Sequence, residues 1–360
     1  MKIAAKEKGE LDADSRASLP SEIALAVKNV VGRQTALGIS IVDDGEMSKY
    51  AYATYARERL TGLTGADQPL ALSELAEFPD FAKRIVLDIK TPACVGPITY
   101  HGDAILATDI ANLKAALAES AIEEAFMNAS SPGIMAHYMP NKFYPSHEAY
   151  LYALGDAMKR EYDAIVESGI LLQIDCPDLA LGRHFREKPL DVADFRKEIT
   201  LLVEVLNHAL RDIPPDRMRM HLCWGNYESP HHHDIDLYEI FDIIVRARPM
   251  AILLEAANPR HAHEWSLFKE TRLPDDKLIV PGVIDTCTNY IEHPEVVAQR
   301  IEQYANLVGR ERVIASTDCG FASFATFHTV DPDIAWRKLE SLVHGADIAS
   351  RRLWNRTPGI

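Results

Sequence analysis

The chain has 360 residues, 47% of them hydrophobic and 25% charged, and a formal net charge of −15. This composition is ordinary for a protein with a large buried core, and the acidic excess argues against nucleic acid and membrane surfaces as partners, since both are negatively charged. No apolar run reaches the roughly 20 residues that span a bilayer, and the N-terminus has no apolar signal core, so we expect a cytoplasmic protein. The five scattered cysteines do not suggest a disulfide framework.

Short β-branched runs alternate with helix-length amphipathic segments, a pattern typical of parallel βαβ units. Seven strands are predicted, at Ile39–Asp43, Ala125–Asn128, Leu171–Asp175, Arg217–Cys223, Ala251–Glu255, Leu278–Asp285 and Arg312–Ser316. Helices are predicted between them, at Ala149–Glu167, Val192–Leu210, Leu237–Arg246, Pro294–Leu307 and Asp333–Ile348. The segment from Tyr50 to Glu123 is interpreted as an excursion, with a hairpin near Ile85–Tyr100.

Polar or ionisable residues follow each predicted strand, as at Asp43, Asp175 and Asp285. In a (β/α)₈ barrel the carboxyl ends of the strands and the loops after them build the active site. A doubly wound sheet would usually carry a glycine-rich first turn, and neither G-x-G-x-x-G nor G-x-x-x-x-G-K-[ST] occurs here. The sequence therefore predicts an α/β protein with one domain over residues 1–360, a TIM barrel with one strand unaccounted for.

The pair His221-x-Cys223 ends a predicted strand, and residues two apart in a strand point to the same face. Imidazole and thiolate are zinc ligands, although such a pair alone is a weak signal. Glu255 and Cys319 follow equivalent strands of the same barrel, so the four side chains could converge on one tetrahedral Zn²⁺.

Two thiolates, a carboxylate and an imidazole give such a zinc site a net charge near −1, which makes the metal a poor Lewis acid. The site would instead exchange one ligand for a substrate thiol and keep the sulfur rich in electrons. A free thiol, with a pKa of about 8.5, is only a few per cent ionised at pH 7, whereas a zinc-bound thiol is deprotonated, a gain of about 30-fold. The pattern therefore favours alkylation of sulfur.

Several segments carry a family resemblance: VDDGEMSKYAYATYARERLTG (42–62), FMNASSPG (126–133), LLQIDCPDLAL (171–181), MHLCWGNYESPHHHDI (220–235), GVIDTCTNYIEHPEVV (282–297) and STDCGF (316–321). Together they resemble the cobalamin-independent methionine synthase family, in particular its single-barrel branch, which includes epoxyalkane:coenzyme M transferases. The resemblance covers nearly the whole chain, with the motifs in order.

The resemblance implies a zinc-centred barrel of the type shared with uroporphyrinogen decarboxylase, with its first strand missing or substituted. It implies zinc-ligand roles for His221, Cys223, Glu255 and Cys319. It also implies that Glu46 and Asp175 hold the ammonium group of an amino-acid thiol such as homocysteine, and Asp285 is grouped with them as a catalytic residue. For Glu46 and for Asp175 the alternative is a structural role at a helix N-terminus.

The sequence departs from the family in three ways. The first strand, with its T-x-x-G-S-x-P-R-like segment, is absent, so either the start is truncated or another segment fills the gap. The N-terminal barrel that helps full-length methionine synthases bind folate is absent as well. Cys287 stands where those enzymes carry a histidine. The methyl or alkyl donor therefore stays open among folate, a methylated corrinoid protein and a small electrophile.

The favoured function is zinc-dependent methyl transfer to homocysteine. A close alternative is alkyl transfer to coenzyme M or glutathione from an epoxide or a methylated small molecule. A metal-free decarboxylase and a non-catalytic zinc- or thiol-binding protein rank lower. For the run His231-His232-His233, contacts to substrate or to the zinc ligands are favoured over a second metal, because three consecutive histidines cannot all face one ion.

Overall fold

The computed structural model describes residues 2–69, 72–85, 90–118, 120, 122, 124–327 and 329–354. Its strands are β1 Ile41–Val42, β2 Leu63–Pro69, β3 Lys90–Cys94, β4 Glu124–Ser130, β5 Leu171–Asp175, β6 Met218–His221, β7 Ala251–Glu255, β8 Leu278–Ile284 and β9 Ser316–Thr317. Its α-helices are α1 Lys2–Glu7, α2 Ala13–Leu37, α3 Pro79–Ile85, α4 Asp103–Leu117, α5 Pro132–Tyr138, α6 His147–Glu167, α7 Val192–Ala209, α8 Leu237–Ile244, α9 Pro294–Val308 and α10 Pro332–Leu353. None of these helices is both long and apolar enough to cross a membrane.

A parallel sheet of seven strands forms the centre of the molecule, in the order β1-β4-β5-β6-β7-β8-β9. Strands β7 and β8, with the sequences AILLE and LIVPGVI, are nearly continuous apolar runs, because helices cover parallel sheets on their outer face. All seven carboxyl ends lie at one edge of the sheet. Asp175 at the end of β5, for example, is directly opposite His221 at the end of β6.

The sheet curls until the loops after its two outermost strands meet. Ala51, after β1, forms an antiparallel bridge with Phe324, after β9, and the Ala325 N–H donates to the Tyr50 carbonyl at 2.8 Å. Outside the sheet, α2 and α10 are in contact, with the Arg33 guanidinium 4.0 Å from the centre of the Trp336 ring. Among the described residues no strand pairs with the outer edges of β1 and β9. The seven predicted strands are therefore all present, and the eighth is missing from the described chain.

Five of the seven predicted strands have different bounds in the structure, among them the last strand and the one that carries His221. The last was predicted at Arg312–Ser316, but Arg310–Arg312 forms a 3₁₀ turn and the strand is Ser316–Thr317. The Arg312 guanidinium donates to main-chain carbonyl groups, including that of Lys277 at 2.8 Å, which holds this residue outside the sheet. The strand predicted to reach Cys223 ends at His221, so Cys223 belongs to the following loop.

The predicted helices begin within two residues of the observed ones, because their start signals are local. Ser146 caps α6 and Asp191 caps α7, each by accepting a hydrogen bond from a main-chain N–H three residues later. Asp331 caps α10 through an N–H two residues later, that of Asp333. The carboxyl end of α10 was predicted at Ile348, five residues before the observed end at Leu353.

The excursion between β1 and β4 contains an antiparallel pair of strands, but the predicted hairpin near Ile85–Tyr100 is wrong. Strand β3 pairs with β2, which is separated from it by a 3₁₀ turn at 73–77 and by α3. Residues 86–89, within the predicted hairpin, lie outside the described residues.

A buried ion-pair network fixes this excursion to the barrel helices. The Arg59 guanidinium is 2.8 Å from Glu161 of α6 and 2.6 Å from Asp109 of α4. Tyr55 and Tyr100 also donate to the Glu161 carboxylate, at 2.7 and 3.0 Å. Because every charge in this cluster is paired and hydrogen-bonded, the cost of burying it is offset.

Candidate metal centre

Two thiols and an imidazole converge at the mouth of the barrel. The possible ligand atoms of His221, Cys223 and Cys319 all lie within 4.8 Å of one another. The two sulfur atoms are 3.4 Å apart, and both cysteines are buried and free of disulfide bonds. The sequence predicted that these three side chains, which come from two separate segments, would meet, together with Glu255.

The loop after β6 holds Cys223 through its main chain. The Gly225 N–H donates to the Cys223 sulfur at 3.2 Å. Gly225 has a φ of 123°, a backbone conformation that residues other than glycine rarely adopt. A Cβ at this glycine would also lie 2.1 Å from the Tyr227 ring. Glycine is therefore required here for the loop to turn back on the thiol.

Asp318 holds the loop that carries Cys319. Its carboxylate accepts hydrogen bonds from the N–H groups of Ala256, Ala257 and Asn258, at 2.7 to 2.9 Å, and so ties β9 to the loop after β7. The close approach requires Gly282 on β8, where a Cβ would lie 2.3 Å from the Asp318 carboxylate. Asp318 stands in the STDCGF segment, but strand-end reasoning alone gave it no role.

The protein environment keeps both thiols protonated near neutral pH unless a cation compensates. The hydrogen bond between the thiols, together with burial, raises the pKa of Cys319 well above its ordinary value. For Cys223 the same hydrogen bond lowers the pKa, but burial and the neighbouring Glu255 carboxylate outweigh it. Two thiols and an imidazole within reach of one point fit a zinc ion, and they leave one position of a tetrahedron free, as in catalytic zinc sites.

Glu255 lies beside Cys223 but outside the three-residue group. Its carboxylate accepts from the Trp224 N–H and from the Asn258 side-chain amide, each at 2.8 Å. It is 2% exposed. Both oxygens of Glu255 therefore accept hydrogen bonds from neighbouring loops, one from a main-chain N–H and one from a side-chain amide.

Asp175 contacts the imidazole of the group. One carboxylate oxygen is 3.3 Å from Nδ1 of His221, and the side-chain amides of Asn128 and Gln173 donate to the same carboxylate at 3.1 Å. Although burial favours the neutral acid, these partners lower the pKa of Asp175. Nε2 of His221 faces the opposite way, 3.1 Å from the main-chain oxygen of Asp318. Such a carboxylate fixes the ring orientation of a metal-binding histidine.

Glu46 also lies at this mouth, but it has an internal partner that the sequence analysis did not identify. The Lys49 ammonium is 2.9 Å from the Glu46 carboxylate and also donates to the main-chain oxygen of Asn128, at 2.7 Å. Glu46 has a φ of 51°, in the left-handed region, which is strained for a residue with a side chain. Burial raises the pKa of Glu46, the Lys49 charge opposes this, and the Asp175 charge adds to it. The two acids are therefore electrostatic neighbours, as expected.

Asp285 organises the turn after β8. Its carboxylate accepts from the N–H of Cys287 at 3.1 Å and from the N–H of Thr288 at 3.0 Å, and the Thr288 hydroxyl also donates to it. These contacts hold the turn itself, and the catalytic role of Asp285 stays a prediction. Cys287 donates to the Asn226 side chain at 3.2 Å, so the loops after β6 and β8 are joined near the thiols.

Sequence reasoning missed two tyrosines at the mouth. The hydroxyl groups of Tyr52 and Tyr138 are 3.2 Å apart. Burial raises the pKa of Tyr138 to about 12 and that of Tyr52 well above its ordinary value, with a further contribution from the charge of Cys223. Tyr52 lies in the segment 42–62, so membership of a shared motif was the signal that could have identified it.

The chain is similar to several known proteins. Residues 3–331 match the family model described as the cobalamin-independent synthase, catalytic domain. A methionine synthase of Thermococcus kodakarensis is 26% identical over 62% of this chain, a match that spans only 57% of that relative. The uncharacterised protein YxjH of Bacillus subtilis is 24% identical over 96% of this chain and 88% of its own length. The 2-hydroxypropyl-CoM lyase of Xanthobacter autotrophicus is 27% identical over 42% of this chain and 45% of its own length.

The fold comparison confirms the predicted barrel. A B12-independent methionine synthase from Shewanella sp. W3-18-1, in complex with selenomethionine, superposes with a TM-score of 0.74 over 96% of this chain and 92% of the other, at 19% identity. The family model covers most of the described chain and includes every residue of the thiol and imidazole group. The chain therefore belongs to the cobalamin-independent synthase family, through its catalytic domain.

Proposed function

We propose that this protein transfers a methyl group to the sulfur of a small thiol, with homocysteine as the acceptor and methionine as the product. The observation that carries the proposal is the convergence of His221, Cys223 and Cys319 at the barrel mouth. Methionine synthases among the relatives support the reaction class. When bound, zinc would supply the positive charge that lowers the pKa of a coordinated thiol.

The proposed zinc ligands are His221, Cys223 and Cys319, with Glu255 as the fourth. Glu255 is included because its carboxylate lies beside Cys223 and raises the pKa of that thiol. Its present hydrogen bonds to Trp224 and Asn258 offer it an alternative position. A ligand with such an alternative suits a site that must release one ligand when the substrate thiol arrives.

The proposed ammonium site consists of Glu46, Asp175 and the side-chain oxygen of Asn128. That oxygen is buried and has no hydrogen-bond partner among the described residues, although the amide nitrogen of Asn128 donates to Asp175. An ammonium group has three donors and no acceptor, so a cluster made only of acceptors matches it. Asp175 would also hold the imidazole of His221 in place through Nδ1.

Other residues at the mouth position the substrates and exclude water from the site. The half-buried Tyr52 and the buried Tyr138 line the side of the mouth near Cys223. Asp285 keeps the turn after β8, with Cys287, next to the loop of Cys223. We propose that the deprotonated thiol sulfur attacks the donor carbon in line, so that the new S–C bond forms as the bond from that carbon to the rest of the donor breaks and the donor leaves with the bonding electron pair. The proposed donor is a methylated folate, a methylated corrinoid protein or a small electrophile.

One observation favours a second candidate, alkyl transfer to a thiol without an ammonium group, such as coenzyme M. Lys49 already supplies a positive charge to Glu46 at 2.9 Å, so part of the proposed ammonium site is occupied from within the chain. The 2-hydroxypropyl-CoM lyase among the relatives is consistent with this reading.

A panel of thiols tests the proposal. The reduced, zinc-loaded protein is incubated with homocysteine, coenzyme M or glutathione and each donor class, and products are measured by mass spectrometry. We expect methionine from homocysteine, and loss of this product in Cys319→Ser. The matched control is Cys94→Ser, which alters a buried thiol of β3. Turnover of coenzyme M with an epoxide, and none of homocysteine, would favour the second candidate; full activity in Cys319→Ser would overturn both.

A further inference from the structure

The run of three histidines after Cys223 divides between two environments. His231 has a φ of 54° and turns inward, where its ring nitrogens face the Asp234 carboxylate and the Tyr227 carbonyl, each at 2.9 Å. His232 and His233 turn outward, toward the 3₁₀ turn at 73–77 of the excursion. Because the His231 side chain points inward, the side chains of His232 and His233 can both approach one point on the outside.

That point is the Glu77 carboxylate. Nε2 of His233 is 2.6 Å from one oxygen of Glu77, and Nε2 of His232 is 3.1 Å from the other. The ring centres are 4.2 Å apart, and the possible ligand atoms of the three residues lie within 4.8 Å of one another. Two imidazoles and a carboxylate form a common ligand set for zinc and similar divalent ions.

The opposite nitrogen of each ring faces an acceptor. Nδ1 of His233 is 3.1 Å from the Ser73 hydroxyl, which can donate its own proton to the His184 carbonyl at 3.3 Å. Nδ1 of His232 is 4.0 Å from Oε2 of Glu74. That residue is 0% exposed, and its Oε2 has no hydrogen-bond partner among the described residues. Acceptors placed behind metal-binding histidines are what fixes their ring orientation.

Each ring can face Glu77 in one of two tautomers, because a neutral imidazole carries one N–H and one lone pair. A ring with its proton on Nε2 donates to the Glu77 carboxylate, at 3.1 Å for His232 and 2.6 Å for His233. A ring with its proton on Nδ1 instead turns the Nε2 lone pair toward the same carboxylate. In that second form a divalent cation can lie between the two imidazoles and Glu77.

We propose that Glu77, His232 and His233 form a second divalent-metal site, of the zinc type, distinct from the thiol site. The Glu77 side chain is 52% exposed, so the site is open to solvent and has free positions for water. A metal here would join the excursion to the loop that begins at Cys223. The same segment already holds that loop, because the Tyr227 and Ser229 hydroxyls donate to Glu74 at 2.7 Å.

Equilibrium dialysis of the reduced full-length protein against a low free concentration of Zn²⁺, followed by elemental analysis, tests the second site. We expect one equivalent more zinc in the wild type than in the double variant His232→Gln/His233→Gln. The control is His208→Gln, which alters a surface histidine 2.7 Å from Asp156 and should bind as much zinc as the wild type. Equal zinc in the wild type and the double variant would overturn the proposal.

Titration with Co²⁺ separates this site from the thiol site, because only thiolate ligands give cobalt a strong charge-transfer absorption. The double variant should keep that absorption in full and lose one equivalent of bound cobalt. Cys319→Ser should lose the absorption and keep an equivalent bound without it. Loss of the charge-transfer absorption in the double variant would contradict a site distinct from the thiols.

Discussion

An Asp175→Asn substitution perturbs the candidate metal centre without changing any proposed ligand. Asp175 Oδ1 is 3.3 Å from Nδ1 of His221, and the residue is 5% exposed, so solvent screens the interaction little. The asparagine side chain is nearly the same size, but it carries no charge and replaces one acceptor oxygen with a donor. Nδ1 of the imidazole therefore loses its charged partner while the packing is preserved.

The expected magnitude follows from this contact. Removing the carboxylate behind a metal-binding histidine typically costs about 10- to 100-fold in metal affinity, or roughly 1.4 to 2.8 kcal/mol. The upper part of this range is expected, because the amides of Asn128 and Gln173 also donate to Asp175 and would compete for the remaining oxygen.

Zinc affinity is measured by competition with a chromophoric chelator. The control is Asp156→Asn, which alters an aspartate–histidine pair 2.7 Å apart whose aspartate is 61% exposed; it should leave zinc affinity unchanged. Unaltered zinc affinity in folded Asp175→Asn would refute the assignment of Asp175 to His221. If the variant instead raised only the KM for amino thiols, the ammonium role alone would remain.

Two further predictions concern stability. Arg59→Met leaves the buried Glu161 and Asp109 without their cation and should lower the free energy of unfolding by about 3 to 5 kcal/mol in urea titrations. Arg160→Met, at an ion pair about 60% exposed, should cost at most about 1 kcal/mol, and equal losses would contradict this reasoning. Burial raises the pKa of Asp178 to about 7, so the folded protein retains a proton that the unfolded chain releases near pH 4. The free energy of unfolding should therefore fall between about pH 4 and pH 7, and less steeply in Asp178→Asn; identical pH profiles would exclude this role.

The sequence was sufficient to predict the barrel strands and the meeting of His221, Cys223 and Cys319. Both follow from one rule, that parallel strands end at a common edge, and this rule needs no knowledge of side-chain conformation. The helix starts were predictable for a similar reason, since caps such as Ser146 and Asp191 act over three residues.

The features that the sequence did not predict depend on which of several possible partners a side chain or a strand contacts. Lys49 pairs with Glu46 because the chain turns through a left-handed residue, which no periodic pattern indicates. The withdrawal of His231 from its neighbours depends on the same kind of backbone conformation. The pairing of β2 with β3 joins segments separated by a 3₁₀ turn and a helix, so local turn signals misplaced the hairpin.

The zinc content of the purified wild type, compared with that of Cys223→Ser, tests the central claim most directly. Cys223 lies within 4.8 Å of the ligand atoms of His221 and Cys319, and serine leaves the shape of the site nearly unchanged. The account predicts that the folded, reduced variant contains one equivalent of zinc per chain less than the wild type. Equal zinc in the two proteins would contradict a metal centre at the two thiols and the imidazole.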